Sequence, residues 1–300
     1  MKSDAHNPVL GIFWMLVTGL CFVAVTALVK YMGARVPPAE AAFLRYVLGL
    51  VFLLPMLPTL RAATITRRQW WLFGWRGVFH SVGVMLWFYA MTRIPIAEVT
   101  AMNYLAPVYV SIGAALFLGE RLAARRIAAV VVALIGVAVI LRPGFREVAP
   151  GHIAMMFCAV VFAGSYLLAK IMADEAKPAV VVAMLSIFVT IGLAPFALAN
   201  WVTPTWGDLG LLFVVACFAT AGHYTMTMAF AAAPVTVTQP VTFLQLVWAV
   251  LLGALVFAEP VDGWVIFGGV LILGAVTYIT WREAVLKRRS ITPPSPATKL

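Results

Sequence analysis

The sequence predicts an all-α, polytopic membrane protein, with ten transmembrane helices forming two inverted five-helix repeats around a central cavity. Three observations carry this reading. The chain has 300 residues, is 64% hydrophobic and has a mean hydropathy of +1.02, whereas a soluble domain holds about 45–50% apolar residues. Ten apolar stretches approach the roughly 20 residues that cross a hydrocarbon core. The second half of the chain also repeats the first at a nearly constant offset.

The repeat is plainest in Pro95–Glu120 and Pro234–Glu259, which are 139 residues apart. Each copy opens on a proline, runs apolar and closes on a single glutamate. At that offset Leu105 matches Leu244, and Val108 matches Val247. At an offset of 140, Gly11, Met15, Phe22, Lys30 and Pro38 return as Gly151, Met155, Phe162, Lys170 and Pro178. Recurring lysines, prolines and glutamates are hard to obtain from apolar composition alone.

The spans fall at roughly 9–30, 38–58, 70–91, 95–118, 124–141, 151–171, 178–199, 208–230, 235–257 and 262–281. The expected organisation is a short N-terminus (1–8), a first repeat (9–141), a second repeat (151–282) and a basic, Pro/Ser-rich tail (283–300). From Lys287 onward the tail is expected to be disordered. A five-helix half delivers the chain to the opposite side, so the second half enters inverted, as in transporters that alternate access around a midplane site. The first apolar run, Val9–Val29, is long enough to span and reads as a retained helix.

The net charge of +10 does not indicate nucleic acid, because the basic residues flank membrane segments and form no soluble basic face. With the N-terminus inside, fourteen Lys and Arg fall on the inner side and five in the outer loops. Both termini are therefore expected in the cytoplasm. Cys21, Cys158 and Cys217 lie in apolar runs, too far apart for a metal motif, and are expected to be free thiols. No metal-ligand cluster, phosphate loop or carboxylate pair points to an enzyme or a cofactor. The implied partners are a small amphipathic substrate and the lipid bilayer, with the chain a monomer or weak dimer.

All eleven carboxylates lie near helix ends or in loops. A carrier of permanent cations needs a buried counter-charge, so that class is disfavoured. Arg45 is either a structural arginine or an anion site, and Arg76 is expected to anchor lipid headgroups. His80 and His223 lie in equivalent helices of the two halves but not at equivalent positions. Each is either a packed neutral imidazole or part of a cavity wall. His80, Val84 and Trp87 share one helical face, as do His223 and Thr227. On the ninth span Thr236, Gln239 and Thr242 make a polar stripe, loosened by Pro240; Thr100 and Asn103 lie at the corresponding places on the fourth. This stripe either binds a zwitterion or joins helices by interhelical hydrogen bonds. The expected cavity wall is His80, Trp87, Thr100, Asn103, Tyr104, His223, Thr227, Gln239, Thr242 and Phe243. Trp70, Trp71, Trp201, Trp206, Trp264 and Trp281 read as interface anchors.

The glutamates that close the fourth and ninth spans (LFLGERL at 116–122, LVFAEPV at 255–261), Arg45, and the glycine-bearing fifth span VVALIGVAVI at 131–140 resemble the EamA-type drug/metabolite transporters. Within them the chain is most similar to YddG-type exporters of aromatic amino acids. Pro260 after Glu259 departs from that pattern. The resemblance implies a basket-like bundle in a bacterial inner membrane and export from the cytoplasm. The expected function is thus secondary export of neutral, aromatic or other amphipathic amino acids. The alternatives are a sugar-phosphate or nucleotide-sugar exchanger and a non-transporting membrane scaffold.

Overall fold

The structure, a computed structural model, describes residues 7–117, 124–173, 175–233 and 235–291. It is helical throughout the spans. The helices are α1 (Pro8–Met32), α2 (Pro38–Arg61, with a 3-10 stretch at Leu50–Met56), α3 (Arg67–Met91) and α4, which is split into Ile96–Asn103 and Leu105–Phe117. They continue as α5 (Ala124–Leu141), α6 (Pro150–Ala173), α7 (Pro178–Ala199) and α8 (Trp206–Ala232). The α9 segment runs Val235–Thr238, a 3-10 turn Gln239–Thr242 and Phe243–Phe257, and α10 is Gly263–Ile291. Eight of these are long and apolar enough to span as they stand. The two exceptions are α3, which carries Arg67, Arg68 and Arg76, and α9, which is broken near Pro240. The six tryptophans expected at the interfaces are all exposed.

One expectation is corrected at the C-terminus. The first residues of the tail are not irregular: α10 continues through Lys287, Arg288 and Arg289 to Ile291, and the Pro/Ser-rich remainder of the tail lies outside the described residues. Lys, Arg and Leu are good helix formers, and no proline occurs before position 293. Glu120 and Arg121, which carry part of the family resemblance, lie outside the described residues.

The packing has the symmetry that the sequence repeat demands. Helix α1 packs on α8, and its repeat mate α6 packs on α3. Helices α5 and α10 pack on each other, as do α2 and α7. Individual contacts obey the same exchange. A side chain at Gly11 would meet Ala233 Cβ at 2.4 Å, and one at Gly151 would meet Ile94 Cγ2 at 2.7 Å. Gly11 and Gly151 are repeat mates, as are Ile94 and Ala233. Thr18 bonds Thr225 across α1 and α8 at 2.9 Å. Its mate Cys158 donates to the Gly83 carbonyl across α6 and α3 at 3.2 Å. All three cysteines are free.

At the α5–α10 crossing the two helix backbones approach closely. A Cβ on Gly136 would lie 2.7 Å from the Gly268 carbonyl oxygen, and one on Gly268 would lie 2.5 Å from that of Gly136. Backbone cannot give way as a side-chain tip can, so Gly268→Ala is expected to push the two helices apart. Overpacking of this kind costs about 1–3 kcal/mol, measurable as a lower unfolding temperature in detergent. Gly274→Ala is the control, because its position has open space.

Candidate functional site

The start of α1 and the end of α10 lie at one face of the bundle, here called the terminal face; the opposite face, with the α1–α2, α3–α4, α5–α6, α7–α8 and α9–α10 loops, is distal. Midway between them the structure gathers polar and aromatic side chains from α1, α2, α3, α6 and α8. His80, on α3, is buried and its Nδ1 is 3.1 Å from the Ser165 hydroxyl on α6. Its ring lies 5.0 Å from Phe162 and 6.4 Å from Tyr46, and Tyr166 stacks on Phe162 at 5.9 Å. His223, on α8, is exposed and sits edge-on to Phe22 at 5.2 Å.

The two histidines are therefore more closely related than their sequence positions suggest. His223 falls four residues, one helical turn, beyond the repeat mate of His80. Phe22 and Phe162 are repeat mates, so each half presents one histidine ring to one equivalent phenylalanine. Tyr166 is also substantially exposed, although it lies in mid-helix beside Phe162. His223 and Tyr166 thus leave exposed surface in mid-helix beside the packed Phe22 and Phe162 rings.

Arg45 and Arg76 give this region its charge. Arg45 directly precedes Tyr46, and Arg76 lies one helical turn before His80 on α3. Arg76 is not the lipid anchor expected from its place near a helix end. It is 8% exposed, donates to the Val181 carbonyl of α7 at 3.1 Å, and its Nε has no partner among the described residues. Packing of α3 against α6 and α7 turns that face of the helix inward. Arg45 is half-buried, and its guanidinium lies 4.3 Å from the Tyr46 ring centroid. Among the described residues neither guanidinium meets a carboxylate, and Arg45 makes no hydrogen bond. Buried polar groups are normally satisfied, so two incompletely partnered guanidiniums beside aromatic rings are a feature to explain.

The other expected wall residues cluster where α4 and α9 break. Those breaks fall at repeat-equivalent positions, and the Tyr104 hydroxyl joins them by donating to the Thr242 carbonyl at 2.8 Å. Thr100 is buried and its hydroxyl is committed to the Ile96 carbonyl at 2.9 Å. Asn103 and Trp87 are half-buried. The side chains of Thr227, Gln239 and Phe243 lie outside the described residues.

The sequence reading missed the ionic chemistry at the distal face. Glu98, on α4, is 3% exposed and receives two hydrogen bonds from Arg146, at 2.8 and 3.0 Å. It also contacts His152 at the start of α6. Glu259 is ion-paired with Lys30 and accepts from the Ile96 N–H at 2.9 Å, while Lys30 also donates to the Ile94 carbonyl. Arg142 pairs with Asp262. A cavity of about 230 Å³ opens among these loops.

The two faces are not alike. On the distal side Ile96–Asn103 of α4 packs against Phe243–Phe257 of α9 and against α10. The symmetry-related packing would set Leu105–Phe117 against the Val235–Thr242 end of α9 at the terminal face. Among the described residues no comparable contact is made. Among the described residues the bundle is thus closed distally, with α4 and α9 apart at the other face.

Inverted five-helix repeats of apolar helices with paired breaks at mid-depth are the architecture of a membrane transporter. The profile of the EamA-like transporter family matches residues 9–142 and 149–281, and the chain belongs to that family. It is 28% identical over 96% of its length to a riboflavin transporter of Rhizobium johnstonii, covering 97% of that protein. It is 26% identical to an S-adenosylmethionine uptake transporter of Rickettsia felis (94% of this chain, 96% of that one). It is likewise 26% identical to a pseudopaline exporter of Pseudomonas aeruginosa (88% and 94%). A solved crystal structure shares the fold with a TM-score of 0.59 at 21% identity, covering 97% of this chain and 100% of its own. The protein is a transporter and not an enzyme.

Proposed function

We propose that this protein is a secondary transporter of small amphipathic metabolites that join an aromatic ring to a carboxylate, aromatic amino acids being the leading class. The observation that carries the reading is the pair of guanidiniums, Arg45 and Arg76, without carboxylate partners among the described residues and close to Tyr46, Phe162, Tyr166 and the two histidines. An arginine fork matches a carboxylate bidentately, and the rings offer a face to a planar side chain. Asn103, Tyr104 and Thr242, with Thr100, Thr227, Gln239 and Phe243 on the same spans, are assigned to the remaining wall.

The same chemistry argues against a permanently cationic substrate. The S-adenosylmethionine transporter is a relative, but a sulfonium would sit beside uncompensated positive charge. A flavin-like, uncharged planar heterocycle is the second reading, favoured by the riboflavin transporters among the relatives. The excess of Lys and Arg on the terminal face assigns that face to the cytoplasm of a bacterial inner membrane. With the halves taken as 9–141 and 151–282, movement is export by exchange of access between them.

Counterflow into proteoliposomes tests this. Phenylalanine, tyrosine and tryptophan are expected to exchange, while their amides, S-adenosylmethionine and a sugar phosphate are not. Exchange of riboflavin with no aromatic acid moving would install the second reading; equal exchange of acids and amides would remove the role given to the arginines.

A further inference from the structure

The distal closure has a built ionic centre that the substrate reading does not use. Lys30 ends α1, and Glu259 follows α9, where Ala258 adopts a left-handed conformation (φ 52°, ψ 31°). That turn folds Glu259 back over its own helix. A Cβ at Gly253 would lie 2.5 Å from Glu259 Oε2, so a larger residue there would displace the carboxylate from this position. From there it pairs with Lys30 of α1 and caps the N–H of Ile96, at the start of α4. One carboxylate therefore ties together the distal ends of α1, α4 and α9, the segments that close this face. The side chains are only 19% and 11% exposed, so parting them requires water to enter.

Resting on the reading of the chain as an alternating-access transporter, we infer that Lys30 and Glu259 are gating residues, whose ion pair holds the distal face shut and must break for the cavity to open there. They act through α4 and touch no substrate. Neutralising either one removes the attraction in the closed state. In the open state, where both are hydrated, it changes little, so the balance shifts toward distal opening.

The test uses the full chain in oriented membranes, with Cys21, Cys158 and Cys217 replaced by alanine and one reporter cysteine added. Val99→Cys reports the distal side, because Val99 is fully buried in the half of α4 that closes it. Tyr166→Cys reports the cavity from the terminal side, because Tyr166 is 42% exposed. Phe145→Cys, 91% exposed in the α5–α6 loop, sets the reagent's intrinsic rate. With a membrane-impermeant thiol reagent, Lys30→Gln and Glu259→Gln are each expected to speed distal labelling of Val99→Cys about tenfold or more, as for loss of a buried pair. Both are also expected to slow terminal-side labelling of Tyr166→Cys. A merely structural role loosens the fold and speeds both reporters, which overturns the inference, as does unchanged Val99→Cys labelling in both variants. Lys170 stands at the repeat position of Lys30, on the terminal side. A shift caused by Lys170→Gln in the same sense as Lys30→Gln also counts against a gate tied to one face. No substrate enters the assay. Reciprocal shifts in a protein that moves no aromatic acid keep the gate and remove the substrate reading; transport of those acids without the shifts does the reverse.

Discussion

Glu98→Ala is expected to destabilise the folded protein by about 3 kcal/mol, the lower end of what breaking a buried charge pair costs. Glu98 is 3% exposed, with Arg146 forked onto its carboxylate and His152 against it. Truncation leaves the His152 ring, itself 4% exposed and already 3.0 Å from Arg146 Nη2, beside the arginine with no carboxylate to balance its charge. Arg146 is 25% exposed on its side chain and recovers some hydration, which holds the figure to the lower end. The Glu98 carboxylate raises the Arg146 guanidinium in the intact protein; without it, arginine's ordinary basicity still keeps the group charged, so it cannot relieve the loss by giving up its proton. Arg68→Ala, which breaks the Arg68–Glu175 pair at the terminal face, is the contrast. That arginine is 64% exposed, and loss of an exposed pair changes stability by at most about 1 kcal/mol. Equilibrium unfolding in mixed micelles measures both; equal losses in the two variants would contradict the role assigned to burial.

Cavity and gate were legible in the sequence to very different degrees. The repeat exposed the architecture because it fixes residues that apolar composition does not: Lys30 with Lys170, Gly11 with Gly151, Phe22 with Phe162. The tryptophans could be placed because an amphipathic ring at a helix end has one favourable depth. Which face of a helix turns inward was not legible. Lipid and protein interior are both apolar, so an all-round hydrophobic helix carries no periodic signal of orientation. Arg76 illustrates this: its distance from the helix end suggested a headgroup anchor, yet packing against α6 and α7 buries it. The match of His80 to His223 was hidden by a one-turn displacement that a fixed offset cannot register. Lys30 and Glu259 were each noticed as repeat members, but nothing local pairs residues 229 positions apart. His152 drew no attention because a histidine at the mouth of a span looks like loop chemistry until Glu98 is brought to it. A sequence signal did exist in the glycine six positions before Glu259, which leaves room for a carboxylate folded back on its helix.

The second large effect concerns Arg45. If its guanidinium receives the substrate carboxylate, Arg45→Gln removes a charge-assisted interaction worth about 1.5–3 kcal/mol. At 1.4 kcal/mol per decade, binding of an aromatic amino acid should weaken by about 10- to 100-fold with the protein still folded. Arg45→Lys should recover part of the loss, because it restores the charge but not the planar fork. The competing account makes Arg45 a structural residue, held by the Tyr46 ring. That account predicts lower thermal stability in Arg45→Gln and little change in affinity for the protein that survives. A double comparison separates them: the amide of the same amino acid lacks the carboxylate, so its weaker binding should be nearly insensitive to Arg45→Gln. Equal losses for acid and amide would show that Arg45 shapes the cavity without reading the charge. The anion-binding role would then fall to Arg76, whose buried Nε has no protein partner among the described residues.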